Sequence, residues 1–173
     1  MFLALLSSGA STQPTGNVTF NDGVTLLSTV PLSSGSAQLN ISTLSGGSHN
    51  ITAVYNGDGN FKTASNGVTQ QVNQSGTTVG LSASKATSLF REAVTFQAVV
   101  ASLGGGTPSG TVTFFDGATS LGTVTLDGSG RASITVSGLT VGLHAMSVTY
   151  SGDVNFNPNA SAPMPHNRSP KPH

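Results

Sequence analysis

The sequence predicts an all-β chain folded as two tandem sandwiches. A long stretch of it is written twice. Within each copy, apolar and polar residues alternate over short segments that end in Gly, Asp or Ser. Charged residues make up only 7%, and Ser, Thr, Asn and Gly take their places. Those types favour strands and turns, because their short polar side chains compete with a helical backbone for hydrogen bonds.

The repeat fixes the architecture. Pro14–Gly23 is matched by Pro108–Gly117 at an offset of 94 residues (Gly16 to Gly110). Gly47–Asp58 is matched by Gly142–Asp153 at an offset of 95 (His49 to His144). The additional residue falls where Ser33-Ser34-Gly35-Ser36 faces Asp127-Gly128-Ser129-Gly130-Arg131. Both segments read as turns, where an insertion leaves the flanking registers intact.

Taken in order, Phe2, Ala4 and Leu6 align with Phe96, Ala98 and Val100. Residues 1–6 therefore read as the tail of a second strand, and the first unit lacks its opening strand. As a sorting signal or membrane span the segment is too short, and no basic residue precedes it. Val18/Phe20 and Val112/Phe114 mark the next strand, closed by Asn21-Asp22-Gly23 and Asp116-Gly117, residues that tolerate positive φ. Leu27/Val30 and Leu121/Val124 break the period of two, which predicts a bulge near Ser28 and Gly122. Leu39/Ile41 and Ile134/Val136 supply a further inward pair each. Then His49, Ile51, Ala53 and Tyr55 share one face, with Asn50, Thr52 and Val54 opposite; His144, Met146, Val148 and Tyr150 repeat the pattern.

Gly67–Asn73, with Val68, Gln70 and Val72, closes the first unit, and Gln74-Ser75-Gly76 is a short linker. The second unit opens with Thr77–Ala83, placing Val79, Leu81 and Ala83 together, followed by a strand over 93–101. Its closing strand should be disrupted, since that region holds Pro163, Pro165, Pro170 and Pro172 and proline donates no ladder hydrogen bond. The expected domains are an incomplete sandwich over 1–74, a sandwich over 77–162 and a proline-rich disordered tail over 163–173. So short a linker suits an extended rod. The incomplete ends suggest a fragment of a longer array. A sandwich missing a strand exposes core and a pairing edge, so the chain should associate or accept a strand from a neighbour.

Seven strands in about 90 residues is the size of an immunoglobulin-like sandwich. Pro14–Gly23, the pattern His49-x-Ile51-x-Ala53-x-Tyr55-x-Gly57-Asp58 and Asn60-Phe61, with their counterparts through Asn155-Phe156, resemble the bacterial immunoglobulin-like repeat of large exported proteins. The chain departs from it in the absent first strand, the proline-rich last one, and Met146 where a β-branched residue is usual. The resemblance implies an extracellular or cell-surface location, neighbouring immunoglobulin-like repeats as partners, and a structural or spacer role without catalysis. Two alternatives stand beside that role: an adhesion module binding glycan or protein through its loops, or an accessory region of an exported hydrolase. The loops are small, polar and alike in the two copies, which counts against adhesion.

Composition excludes several classes. Net charge is zero with the charges scattered, so no basic stripe offers itself to nucleic acid. Cysteine is absent, removing disulfides, thiol catalysis and cysteine-held zinc. His49 and His144 are repeated and inward-facing, but no second ligand lies at metal spacing on their strand, so each is read as a half-buried histidine bonded to a loop carbonyl. Asp58, Asp153 and Asp127 sit in turns and are expected to accept nearby backbone N–H groups, there being too few carboxylates for calcium. Tyr55 and Tyr150 should be core, and Tyr150→Ala should cost about 3–5 kcal/mol. Asn-x-Ser/Thr triplets at Asn17, Asn40, Asn50, Asn73, Asn159 and Asn167 are put down to composition, with strand positions hiding several. Gly104-Gly105-Gly106 lacks the lysine and helix of a phosphate loop. No catalytic residue, cofactor or metal is expected, and no segment inserts in a membrane.

Overall fold

Alternating apolar residues demand a surface on each side of the strand that carries them, one dry and one wet, and the chain meets that demand twice. The computed structural model describes residues 1–9 and 11–171, which divide into the units Met1–Asn73 and Gln74–His173. Unit 1 contains β1 (Phe2–Leu5), β2 (Asn17–Asp22), β3 (Thr25–Pro31), β4 (Ser36–Leu39), β5 (Gly47–Tyr55) and β6 (Ala64–Val72). They form a two-stranded sheet, β1-β4, and a four-stranded sheet, β3-β2-β5-β6. Val18, Phe20, Ala37, Leu39 and Tyr55 make the buried core, with Phe2, Ala4 and Leu6 packed against it only half-buried.

Unit 2 contains β7 (Thr77–Ala83), β8 (Thr87–Leu89), β9 (Val94–Ser102), β10 (Thr111–Asp116), β11 (Thr119–Thr125), β12 (Arg131–Val136), β13 (Gly142–Tyr150), β14 (Asn159–Ala160) and β15 (Met164–Ser169). One sheet is β12-β9-β7, and the other runs β11-β10-β13-β15-β8 with β14 also on β13. The opening segment serves both, β7 pairing antiparallel with β9 before β8 pairs parallel with β15. Phe96, Ala98, Val112, Phe114, Val148 and Tyr150 are inaccessible to solvent. This is the immunoglobulin-like arrangement anticipated from the strand count.

The register follows the repeat. Val18 lies opposite Tyr55 and Val112 opposite Tyr150, so the same inward positions meet in each unit. The bulges fall where parity broke. Phe20 faces Ser28 but Asn21 faces Leu26, leaving Leu27 as the extra residue; Phe114 faces Gly122 but Phe115 faces Ser120, leaving Leu121. Each displaced leucine packs against its own core. Gly23 and Gly117 take φ of 56° and 55° in the turns that follow β2 and β10, a conformation that a Cβ disfavours.

The closing strand of unit 2 corrects one expectation. It is interrupted, but only over 161–163, between β14 and β15. There Ser161 substitutes for the ladder: its N–H donates to the Val148 carbonyl at 2.8 Å and its hydroxyl accepts the Val148 N–H at 3.1 Å. The segment expected to be a disordered tail instead forms β15, with Met164 opposite Met146 and His166 opposite His144. Proline is tolerated because Pro163 and Pro170 flank the strand, and the far side of Pro165 has no neighbour, β8 reaching only Asn167–Ser169. Pro172 lies outside the described residues.

Candidate functional site

Among the described residues, two polar constellations are present once in each unit. The first is built on the inward face of β5 and β13. His49 Nδ1 lies 2.6 Å from Asp22 Oδ2, and its Nε2 lies 2.9 Å from the Ser45 carbonyl oxygen. His144 repeats this with Asp116 Oδ2 at 2.7 Å and the Thr140 carbonyl at 2.8 Å. Asp22 and Asp116 are the last residues of β2 and β10, held beside the histidine strand by the turns at Gly23 and Gly117. Carboxylate and carbonyl both only accept, so the two hydrogen bonds coexist when the ring is protonated. The bond to Asp22, and after it the Ser45 carbonyl, raises the pKa of His49 above its ordinary value. A His–Asp pair acting as general base needs its far nitrogen free for substrate, and here that nitrogen faces a main-chain carbonyl. The arrangement ties a turn, a strand and the preceding loop together.

The second constellation lies past the tyrosines. Asp58 Oδ2 accepts the Thr15 N–H at 2.8 Å and the Thr15 hydroxyl at 2.9 Å, while Oδ1 accepts the N–H groups of Asn60 and Phe61 at 2.8 Å each. Asp153 accepts the Ser109 N–H at 2.8 Å and its hydroxyl at 2.6 Å, then Asn155 and Phe156 at 2.8 and 2.9 Å. The Thr15 and Asn60 N–H groups lead in holding Asp58 far below the usual carboxylate range. For Asp153 burial pushes upward, but the Ser109, Asn155 and Phe156 donors together outweigh it and the net shift is downward. Four donors on one carboxylate leave little for a hard cation, which needs several free oxygens. Asp127 is used in the same way, accepting Ser129 and Arg131 N–H groups at 2.8 and 2.9 Å. Among the described residues no three His, Cys, Asp or Glu side chains converge on a metal position.

Tyr55 and Tyr150 are both buried. The Tyr55 hydroxyl donates to the Thr15 carbonyl at 2.8 Å, joining its strand to the Asp58 corner. Burial first, and then the nearby Asp153 charge, push Tyr150 up to about 12. The asparagines differ from expectation: all six sequon positions are exposed, because those on strands occupy the outward parity. Gly104-Gly105-Gly106 connects β9 to β10.

Sequence reasoning missed one pair, present only in unit 2. His166 and Arg168 on β15 are each 1% exposed. Arg168 donates from one guanidinium nitrogen to the Glu92 and Ser137 carbonyls at 2.9 and 3.0 Å. His166 Nε2 lies 3.0 Å from the Ser88 hydroxyl, and the ring meets Phe96 edge-on at 5.4 Å. Burial, then the neighbouring His144 and Arg168, lower the His166 pKa. The signal existed as alternation, His166 and Arg168 being two apart, but prolines on either side of His166 had assigned the segment to a tail. The Asp22 and Asp116 partners were legible only as the repeated Asp-Gly of a turn.

Comparison with known proteins follows the same division into units. The family model described as bacterial Ig-like domain (group 3) matches residues 2–73 and again 81–167. Similar solved structures include the fibronectin(III)-like modules of Clostridium thermocellum CbhA, at 18% identity over 96% of this chain and 86% of that one, with a TM-score of 0.45. The D0-D1 domain of intimin is 21% identical over 95% and 87% of the two chains, with a TM-score of 0.40. An amphioxus IgVJ-C2 molecule is 12% identical over 94% of each chain, with a TM-score of 0.47. No curated protein matches the sequence.

Proposed function

Because the chain belongs to the bacterial Ig-like domain (group 3) family over both of its units, we propose that it is a non-catalytic structural repeat region of a bacterial surface or secreted protein, a spacer between other parts of that protein. The observation that carries this reading is how the repeated polar side chains are used. His49 and His144, Asp58 and Asp153 each bond to their own unit's turns and loops at matching positions. What the chain repeats is thus a means of holding the sandwich, and its reactive-looking groups are occupied by it.

A replacement experiment tests the proposal. Both units are exchanged, in the native protein, for two unrelated sandwiches of the same length. Surface display, judged by antibody labelling of intact cells, and the protein's activity should persist. A saturable interaction with a glycan or protein that disappears on exchange, and returns with this chain's loops alone, would overturn the spacer reading in favour of adhesion.

A further inference from the structure

The segment Gln74-Ser75-Gly76 reads in the sequence as a linker, yet each of its residues is bonded into unit 2. The Ser75 N–H donates to the Asn155 carbonyl at 2.8 Å, and the Ser75 carbonyl accepts the Asn157 N–H at 2.9 Å. The Gln74 side-chain amide donates to the Asp153 carbonyl at 2.6 Å, and the Thr77 hydroxyl donates to that of Asn157 at 3.0 Å. On the other side, the Gly76 carbonyl accepts the Leu103 N–H at 2.9 Å, and the Ser75 hydroxyl lies 3.3 Å from that of Ser102. Strand β6 ends at Val72, which leaves only Asn73 between it and these bonds.

Two features that the sequence left without a role converge on this segment. Gly104-Gly105-Gly106 passes so close that a Cβ on Gly104 would sit 2.6 Å from the Ser75 hydroxyl oxygen, and one on Gly106 3.2 Å from the Phe156 ring. Gly104 does not take a positive φ, so the contact calls for its small size and not its backbone freedom. The Asp153 carboxylate accepts the Asn155 and Phe156 N–H groups at 2.8 and 2.9 Å, which fixes the turn that presents Asn155 and Asn157 to Ser75.

We propose that residues 74–77 are a strap belonging to unit 2, clipped between the loops 102–106 and 153–157, with Asp153 and Gly104 as its positioning residues. The connection from unit 1 then folds with unit 2 and is not a flexible hinge. Ordering a backbone segment costs conformational entropy, so the strap stays ordered only while both loops hold it. Opening either loop frees it without unfolding the sandwich. The proposal is independent of the spacer reading, since it concerns how a segment is held and not a role.

Amide hydrogen exchange of the full chain, followed by NMR, tests it. The Ser75 and Asn157 amides should exchange at least about a hundred-fold more slowly than those of an unstructured peptide. Asp153→Ala and Gly104→Ala should each speed both amides at least about ten-fold beyond any change in the slowest amides of Val94–Ser102, which report unfolding of the whole unit. Asp58→Ala, the matching change in unit 1, should leave both amides unaltered. Ser75→Ala added to Gly104→Ala removes the colliding hydroxyl and should restore the slow exchange of Asn157. If Asp153→Ala does not fold, Gly104→Ala decides alone, since it removes no hydrogen-bonding group. The proposal is overturned if Ser75 and Asn157 exchange like an unstructured peptide in the unaltered chain. It is overturned equally if the variants speed them only as much as they speed β9, or if Asp58→Ala speeds them as well.

Discussion

Unit 1 and unit 2 carry the same inward ladder and the same polar ties, yet Phe2 is half-buried where Phe96 is inaccessible, and Val68 is exposed where Met164 is packed. The sequences of the paired strands do not account for this, since both copies place apolar residues at matching positions. One crossing segment does. By covering an edge in each sheet, β7 and β8 convert two half-wetted walls into core. In a sandwich this small, sealing is therefore a property of a segment distant in sequence from the residues it buries.

The largest effect should come from truncating the matched phenylalanines. Phe96→Ala removes a fully buried ring and should cost unit 2 about 3–5 kcal/mol; Tyr150→Ala should cost as much, read by far-UV circular dichroism because it removes the tyrosine of unit 2. Phe2→Ala should cost unit 1 only about 1 kcal/mol, because a half-buried ring forfeits about half of its transfer free energy and leaves no closed cavity. The chain has two tyrosines, Tyr55 and Tyr150, and no tryptophan, so single-tyrosine backgrounds report each unit separately in urea titrations. Equal costs would mean that unit 1 is sealed in solution and would break the comparison.

A smaller difference is expected at a pair of glycines in the turns where the copies differ in length. Gly130 has φ +71°, and a Cβ there would sit 2.5 Å from the Val100 carbonyl oxygen; Gly35 has φ +73°, with the Leu6 carbonyl 3.0 Å away. Left-handed backbone costs an alanine about 1–2 kcal/mol at either site. Val100 cannot yield, being paired with Val79 inside β9, whereas Leu6 lies beyond the end of β1. Gly130→Ala should then cost about 3 kcal/mol, and Gly35→Ala no more than the backbone strain. The urea midpoints of the same tyrosine reporters decide between them.

Much of this was legible beforehand, and what was not has a common cause. The bulges at Leu27 and Leu121 showed as broken parity, and the strand Phe2–Leu5 showed as an alignment of Phe2 and Ala4 with Phe96 and Ala98. Both are local signals. The strand Met164–Ser169 was misjudged because proline was weighed without knowing which edges of the strand have partners, a fact fixed by where β8 stops. The carboxylate partners of His49 and His144 were missed for a related reason. Residues 27 or 28 positions apart meet only once register is known. Periodicity identifies a face, but it does not say which side chain on a neighbouring strand it will touch.

The units should also answer pH in opposite directions. His166, whose unit 1 counterpart opposite the clamp histidine is Gln70, has its pKa lowered below 6.5 by burial and by His144 and Arg168. The unfolded chain then takes up the proton first, so unit 2 loses stability as pH falls from 6.5 through the depressed folded value. His49 has its pKa raised above 6.5 by Asp22 and the Ser45 carbonyl. Its contribution is complete below 6.5 and disappears as pH rises through the folded value. Midpoints measured from pH 5 to 8 should therefore move oppositely on acidification, unit 1 rising and unit 2 falling. His166→Gln should remove the acid sensitivity of unit 2 while leaving unit 1 unchanged; a persistent fall would place the sensitive group elsewhere. The aspartates do not confuse this window, since Asp58 and Asp153 are both shifted downward.

The smallest difference lies at the far edge of the larger sheets, where the two units differ only in local geometry. Thr113 and Thr123 are cross-strand partners with hydroxyls 2.8 Å apart; Thr19 and Thr29 are the matching pair, 3.4 Å apart. An O–H···O contact beyond about 3.0 Å is weak, and exposed cross-strand pairs contribute about 0.2–1 kcal/mol. Double-mutant cycles to valine should give a coupling of about 0.5 kcal/mol in unit 2 and a smaller one in unit 1. Neither should change in a Val68→Ala or Met164→Ala variant, because two strands separate β3 from β6 and β11 from β15. A coupling that falls in either variant would mean that packing at the closing strand tightens the whole sandwich. Sealing would then be a global property of the fold rather than the covering of two edges.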